Sequence, residues 1–383
     1  MFHHVNKSDK CISKDKLNHF DITHSLNKSG INSASETDLN DLNLTCPTRK
    51  SNIELLRILC IFGILVMHIL GSVKNNLSFV NGQIDLFLNS IFNANVTIFV
   101  LISGYFGIKF KLSKVLKIWI VVLFYSILYT LLTCDYSYFD IKLLIHTIFP
   151  VLTDRFWFIS CYIVLYFLSP YINKFIEALN KKDALSMIFI LLFFFSIAPT
   201  LLLSEGITFD YGKGFVNVVL SYLIGRCISL GYINLSRKQS IILGSSSIVL
   251  TYLLMAFISY CNGKVMLKYF FNDNSLLVII TAVCIFNIFN NLNFSSKFIN
   301  FIAKHVLAVY LFQYAAMDLF GKILDLNYFA GSSCFYLIFI AYTFLLFVFC
   351  IVFDIIRDFV FGKLEDKIIF RIIDVWNKKS QFI

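Results

Sequence analysis

Residues 52–71 read NIELLRILCIFGILVMHILG, an apolar run that contains one arginine, Arg57, and one histidine, His68. About 20 apolar residues are enough for a helix to cross a membrane, so the run predicts a spanning helix. The offset of eleven positions places the two side chains within about 20° of one helix face and roughly 16 Å apart along its axis. Ionisable residues inside a span are costly and are by default functional. Arg57 and His68 are therefore the first candidate site residues.

Both residues also have structural interpretations, which the sequence leaves open. Arg57 lies one turn into the span, where its side chain can snorkel to the cytoplasmic interface and set the topology. Glu54 either pairs with Arg57 at the three-residue spacing or closes a capping box with Ser51. His68 can hydrogen-bond across helices without taking part in any chemistry.

The composition is that of a polytopic membrane protein. Of 383 residues, 58% are hydrophobic and 15% are charged, whereas about a quarter are charged in soluble globular proteins. The net charge of +10 is therefore attributed to membrane topology, and no nucleic-acid partner is expected. The ten cysteines include no Cys-x-x-Cys pair, so neither a disulfide framework nor a metal site is expected.

Apolar runs long enough to cross the bilayer recur along the chain. They span residues 53–71, 86–107, 115–133, 156–173, 186–204, 214–231, 239–260, 275–291, 299–319 and 332–354. Each run is continuously apolar rather than alternating, which favours helices over a barrel, and helices satisfy their own backbone groups. The sequence therefore predicts an all-α, polytopic integral-membrane bundle of about ten helices.

Basic residues concentrate in alternate connections, as the positive-inside rule requires. Four lysines, for example, follow the second span between positions 109 and 117. This distribution predicts a multi-pass protein of the cell membrane with both termini in the cytoplasm. One outer loop fits this rule least well, because it contains two lysines, Lys264 and Lys268, and one aspartate, Asp273.

Two flanking segments differ in composition from the membrane domain of residues 51–354. Residues 1–50 are polar and irregular, which predicts a disordered cytoplasmic tail, with no apolar core of a signal peptide. Residues 355–383 mix basic and large apolar side chains. That mixture predicts an amphipathic cytoplasmic helix that lies on the anionic inner leaflet and contacts its lipids.

The spacing of Arg57 and His68, in this setting, resembles the opening helix of the integral-membrane acyltransferase family 3, whose members acylate sugars and other small acceptors. Later segments resemble the same family in the same order over residues 50–354. They are the run IFVLISGY at 98–105, the span RFWFISCYIVLYFLSPY at 155–171, and the eighth and ninth spans.

Two positions depart from the pattern of this family. Lys114 and Lys117 stand where the family often has an Arg-x-x-Arg spacing. Gln313 stands where relatives often have the histidine of a Tyr-Leu-x-His ending, and glutamine can hydrogen-bond but cannot act as a base.

The resemblance implies transfer of an acyl group, acetyl above all, from acetyl-coenzyme A to a hydroxyl of a cell-surface polysaccharide or a lipid-linked sugar, with no permanently bound cofactor. Such a reaction needs a base, donors for the developing oxyanion, and a ligand for the phosphates of the donor. His68 suits the base and Arg57 the phosphate ligand. Lys114 and Lys117 can join Arg57, although they also fit as ordinary positive-inside lysines.

Three further side chains are candidate substrate contacts. Asn93 and Asn95 lie level with His68 in the second span, where they can orient the histidine, donate to an oxyanion or bond between helices. Trp157 starts the fourth span, where an aromatic-belt position is the structural alternative. Gln313 retains a hydrogen-bonding role. His305 and His146 are weaker candidates for catalysis.

A transporter or flippase of lipid-linked sugars is the alternative function, with Arg57 binding phosphate and His68 relaying protons. Transporters usually show internal repeats and broken helices in matching halves, and the sequence shows no such symmetry. Because Gln313 replaces a common histidine, an inactive relative that serves as a membrane scaffold is a third alternative. Binding of coenzyme A would separate the enzyme from the transporter.

Overall fold

The computed structural model of the chain describes residues 50–133, 140–153, 155–204 and 206–380. The predicted N-terminal tail, except for Lys50, lies outside the described residues. Within them every regular element is helical and no strand occurs. The helices are α1 Ser51–Val73, α2 Phe79–Phe92, α3 Asn95–Phe106, α4 Leu112–Thr133, α5 Ile141–Ile148, α6 Trp157–Ala178, α7 Lys181–Leu192, α8 Phe215–Ser229, α9 Arg237–Cys261, α10 Leu276–Asn290, α11 Lys297–Ile302, α12 Val306–Gly321 and α13 Phe335–Ser380.

The apolar helical segments follow the apolar runs of the sequence. In the part of the chain that the structure describes, eight helical segments are long and apolar enough to cross a membrane, and α8 and α12 are two shorter apolar helices. These ten segments correspond to the ten apolar runs. The prediction of an all-α polytopic bundle is therefore confirmed.

Helix α1 lies at the centre of the bundle, where it packs against α2, α3, α10, α12 and α13. Its first turn is held by side-chain hydrogen bonds to a distant part of the chain. The Ser51 hydroxyl accepts a hydrogen bond from the Ser296 backbone N–H at 2.9 Å, and Asn52 Nδ2 donates to the carbonyl oxygen of Leu292 at 2.8 Å. These contacts place Arg57 and His68 on a helix with neighbours on most sides.

Helices α3 and α8 pack with their backbones in contact. A Cβ atom on Gly104 would lie 2.1 Å from the carbonyl oxygen of Tyr222, and one on Gly225 would lie 2.3 Å from that of Leu101. Small residues permit this close approach in membrane bundles. Gly104 and Gly225 therefore permit the close approach of α3 and α8.

Two prolines lie within helical segments, and other side chains satisfy the carbonyl groups that the prolines leave without a backbone donor. Pro170 lies inside α6, where Ser169 Oγ donates to the Tyr166 carbonyl at 2.8 Å. Pro199 follows α7, and Asn274 Nδ2 donates to the Phe195 carbonyl at 2.9 Å. A proline removes the backbone bond to the carbonyl four residues earlier, so both contacts compensate for it.

The last helix is continuous from Phe335 to Ser380, a length of 46 residues. At 1.5 Å per residue it extends about 69 Å, more than twice the thickness of a hydrocarbon core. The segment 355–383 is therefore a continuation of the last span up to Ser380 rather than a helix of its own. Its contact with the inner leaflet stays a prediction.

Candidate functional site

A cavity of about 400 Å³ opens at the end of the bundle where α1 ends and where α6, α8 and α10 begin. On α1 it is lined by Ile61, Ile64 and His68, which lie on one helix face at spacings of three and four. Its lining continues past the helix to Lys74. The cavity therefore follows the face of α1 that the sequence singles out.

His68 is the histidine in the wall of this cavity. Its side chain is half-buried, and its ring centroid lies 5.1 Å from that of Tyr314. Within the described residues, the buried Nδ1 atom makes no hydrogen bond. Gln313 is a neighbouring side chain of the imidazole.

Gln313 lies behind His68 and is 1% exposed. Its Nε2 atom donates to the Tyr310 carbonyl at 3.0 Å. Because a carbonyl only accepts, this bond fixes which end of the amide is nitrogen and leaves Oε1 as the remaining acceptor. In the described part of the chain, Oε1 is buried without a hydrogen-bond partner, as is His68 Nδ1.

The helix break at Asn93 and Ala94 separates α2 from α3 and brings Asn93 into the cavity wall. Among the described residues, Asn93 Nδ2 is buried and has no hydrogen-bond partner. Nearby Asn89, also in the wall, donates from Nδ2 to Asp85 Oδ1 at 2.7 Å. Both Asn93 and Ala94 keep right-handed helical dihedral angles, so the interruption is a local distortion of the helical segment rather than an unwound stretch.

Asn95 does not line the cavity, unlike Asn93. It starts α3, and its Nδ2 atom packs against Gly63 of α1, since a Cβ atom on Gly63 would lie 2.1 Å from it. Nδ2 also lacks a hydrogen bond within the described residues. The structure therefore separates the two asparagines that the sequence treats alike.

Trp157 is the first residue of α6 and lines the cavity beside Phe158, with which it makes an edge-to-face contact at 5.9 Å. Tyr310 of α12 lines the same wall. The indole thus lies in the cavity wall, where large apolar faces stand beside the polar groups, and its contact with a substrate stays a prediction.

Arg57 lies outside the cavity lining, although it shares the helix face of His68. The lining on α1 begins at Ile61, so Arg57 is four residues, or about 6 Å, beyond it. Arg57 Nη1 pairs with Glu54 Oε1 at 3.0 Å, which is the ion pair that the sequence offered as one alternative. Ser51 bonds to Ser296 instead of closing a capping box.

Lys114 and Lys117 lie at the opposite end of the bundle from the cavity, and both are exposed. Lys117 Nζ forms an ion pair at 3.2 Å with Asp366 of α13. The structure thus brings His68, Asn93 and Trp157 together, with Gln313 behind them. It does not bring Arg57 or the two lysines to the same cavity, because Arg57 lies about 16 Å along α1 from His68 and the lysines lie at the opposite end of the bundle.

Several wall residues were not found from the sequence. They are Lys74, Asn89, Lys213, Lys268, Asp273 and Tyr310. Four of them lie in the connections between helices, so their distance from the cavity depends on how the helices pack. One signal was available, because Lys268 lies in the loop that fits the positive-inside rule least well.

A second polar cluster lies at the other end of the bundle, around Asp354 of α13. Asp354 Oδ2 lies 2.7 Å from His305 Nδ1, and its Oδ1 accepts hydrogen bonds from Tyr125 Oη at 2.8 Å and Arg357 Nε at 2.7 Å. Arg357 also hydrogen-bonds to Glu365. All five side chains are buried and pair with one another, and within the described residues Glu365 Oε2 is left without a hydrogen bond.

Comparison with known proteins identifies the family. A family model described as an acyltransferase domain matches residues 50–355, which is most of the chain. No curated protein and no solved structure matches the chain. The chain belongs to the acyltransferase 3 family and is a multi-pass membrane acyltransferase, as the resemblance in the sequence predicted.

Proposed function

Because the chain belongs to the acyltransferase family, we propose that it transfers an acyl group, acetyl in the simplest case, from acyl-coenzyme A to a hydroxyl of a cell-surface glycan or a lipid-linked sugar. The observation that best supports this reaction is His68 in the wall of a cavity of about 400 Å³. This volume lies within the range of about 300–1,000 Å³ that is usual for small-molecule sites.

In this proposal His68 is the general base. The neutral imidazole accepts the proton of the acceptor hydroxyl, and the hydroxyl oxygen attacks the thioester carbonyl carbon. The new C–O bond forms, the C–S bond breaks, and the sulfur leaves with the bonding electron pair and takes the proton from the imidazolium. The proton and the electron pairs thereby balance without a further reactant.

Gln313 is proposed as the residue that positions His68. Its Oε1 atom is the free acceptor beside the imidazole, because Nε2 is committed to the Tyr310 carbonyl. An acceptor next to Nδ1 favours the tautomer with a proton on Nδ1, which leaves Nε2 to act as the base. This arrangement needs no second histidine at position 313.

Asn93 is proposed as the donor to the oxyanion. Its Nδ2 group is buried in the wall, and within the described residues it has no hydrogen-bond partner. A preorganised donor of this kind is worth about 10²–10³ in rate in other acyl-transfer enzymes.

Arg57 is proposed as a ligand for the phosphates of the donor, with Lys114 and Lys117 further toward the same end. The cavity lining stops one turn short of Arg57 on the same face of α1, so an extended pantetheine arm would follow that face toward His68. If the protein lies in the cell membrane with both termini on the cytoplasmic side, the donor would enter from the cytoplasm and the acceptor from the outer side.

The decisive experiment measures release of coenzyme A and transfer of labelled acetyl by the purified protein, with His68→Ala and the matched control His146→Ala. We expect transfer to be lost in His68→Ala and kept in His146→Ala, because His146 lies in α5 away from the cavity. Full activity of a folded His68→Ala protein would refute the role of His68. Absence of coenzyme A release in the folded wild type would refute the reaction.

One observation favours the alternative of a flippase for lipid-linked sugars. The interruption between α2 and α3 places Asn93 in the wall of the cavity, and interruptions of spanning helices occur at the substrate sites of many transporters. Movement of a fluorescent lipid-linked sugar across proteoliposomes, without acyl-coenzyme A, would support that function over the transferase.

A further inference from the structure

Three lysines reach the cavity of His68 from three separate parts of the chain. Lys74 follows α1, Lys213 precedes α8, and Lys268 precedes the turn Tyr269–Phe271. All three are exposed. Within the described residues, none of them makes an ion pair. Their ammonium groups are therefore available to a ligand.

The cavity wall has a surplus of positive charge. Asp273 is the one acidic residue in the described lining, so three lysines against one carboxylate leave a surplus of two charges. Lys213 is close enough to act electrostatically on both Asp273 and His68. The positive field of Lys213 therefore extends to the proposed base.

The positions of these lysines run against the topology that the sequence predicts. All three lie at the end of the bundle that the positive-inside rule assigns to the outer side, where basic residues are depleted. Lys264 lies in the same loop as Lys268 but outside the cavity of His68. A ligand in the cavity explains why Lys268 and its two partners are present.

We infer that the acceptor of the acyl group is acidic, with a phosphate or a carboxylate near the hydroxyl that is acylated. The three lysines bind the anion, while Trp157 and Tyr310 offer apolar faces to the sugar ring. This inference rests on the proposed function, since it specifies the acceptor of that reaction. Both an anionic glycan and the diphosphate of a lipid-linked sugar have this chemistry.

The test compares three acceptors of the same sugar: its 1-phosphate, its neutral methyl glycoside and its polyprenyl diphosphate. We expect the wild type to prefer the two phosphorylated acceptors, with a KM that rises as salt screens the lysines. Preference for the polyprenyl form over the soluble phosphate would identify the lipid-linked source, and equal use of both would identify the phosphate itself.

The variants are Lys213→Gln, Lys268→Gln and the triple change with Lys74→Gln, against Lys264→Gln as the matched control. We expect each single change to raise KM for the 1-phosphate about tenfold, and the triple change to abolish the preference over the neutral glycoside. KM for acyl-coenzyme A should stay constant, and Lys213→Arg should keep the preference. An unchanged preference in the folded triple variant would overturn the inference.

Failure of this inference can be told apart from failure of the proposed function. Hydrolysis of acetyl-coenzyme A by water tests the transferase without any acceptor. If hydrolysis occurs and the triple variant keeps its preference for the 1-phosphate, the acidic acceptor alone is refuted.

If no acyl transfer occurs, thermal stabilisation by the sugar 1-phosphate still decides the binding. The wild type and Lys264→Gln should be stabilised, and the triple variant should not. Equal stabilisation of all three would refute the site. A KM effect confined to acyl-coenzyme A would instead assign the lysines to the donor.

Discussion

His68 and His305 lie in polar clusters at opposite ends of the bundle, and the two clusters differ in how their hydrogen bonds are satisfied. His305 Nδ1 lies 2.7 Å from Asp354, whose carboxylate also accepts from Tyr125 and Arg357. In the described part of the chain, His68 Nδ1 has no hydrogen bond, and the side chain lines a cavity. His305 is thus typical of a polar residue that holds helices together, and His68 is typical of one that faces a ligand.

The difference teaches how to separate architecture from chemistry. An unpaired buried polar group costs free energy, so most such groups are hydrogen-bonded and those that are not need an explanation. In the cluster around Asp354 both carboxylate oxygens are paired, and the contacts join α4, α13 and the start of α12. The cavity wall instead holds Asn93 Nδ2, a buried donor without a partner among the described residues. In the proposed reaction the substrate is that partner.

The largest effect that tests this contrast is expected for His68→Ala. Loss of a general base reduces kcat/KM by about 10²- to 10⁴-fold. The thermal midpoint of the detergent-solubilised protein should change little, because the half-buried ring lines a cavity rather than the packed core. If the variant instead unfolds at a lower temperature in proportion to its loss of activity, His68 belongs to the architecture and the contrast fails.

Asp354→Ala is expected to have the opposite profile. It leaves Arg357 and His305 buried without the carboxylate that both contact, and breaking a buried pair in this way costs about 3–5 kcal/mol. We expect a large fall in the thermal midpoint, with acyl transfer per folded molecule preserved. An Asp354→Ala protein that melts like the wild type but is inactive would place this cluster in the catalytic machinery. Asp354→Asn, which keeps the shape, should lose less stability.

Gln313→Leu tests whether His68 needs an orienting neighbour. Partners that orient a catalytic or ligating histidine are typically worth about ten- to a hundredfold, so we expect a fall of that size in kcat with KM for the acceptor unchanged. Gln313→His should restore most of the rate, because a ring nitrogen can also accept from Nδ1–H. Equal activity of the leucine and histidine variants would show that Gln313 only fills space.

Much of the fold could be predicted because apolar length is what a bilayer selects. Each of the ten apolar runs is matched by a membrane segment. The continuity of the last helix past residue 354 to Ser380 was not predicted, because the apolar run ends there although no proline interrupts the helix. The break at Asn93 was also hidden, since apolar residues flank it on both sides.

The site was predictable on α1 and α6 but not in the loops. His68 and Trp157 are found from their residue types at defined depths in spans. The choice between Asn93 and Asn95 depends on the break that separates α2 from α3. Lys213 reaches the cavity from a connection between helices, and its position follows from packing that no local pattern encodes.

The smallest expected effect concerns the other end of the bundle, where Lys117 pairs with Asp366. The two side chains are 47% and 68% exposed, so losing the pair should change stability by less than about 1 kcal/mol. Donor binding separates the two residues more sharply. If Lys117 holds the donor phosphates, Lys117→Ala raises KM for acyl-coenzyme A several-fold. Asp366→Asn lowers it or leaves it unchanged, because the lysine is released from its competitor.

A second exposed pair on the same helix is the control, since Lys378 Nζ lies 2.7 Å from Asp374. Asp374→Asn removes the same charge farther along α13, so it separates a general change in surface charge from a local one. A KM shift in Asp366→Asn that is absent from Asp374→Asn would assign the donor to the end of the bundle opposite the cavity. Equal KM values in Lys117→Ala and the wild type would remove Lys117 from the donor site, and Arg57 would then have to hold the phosphates without it.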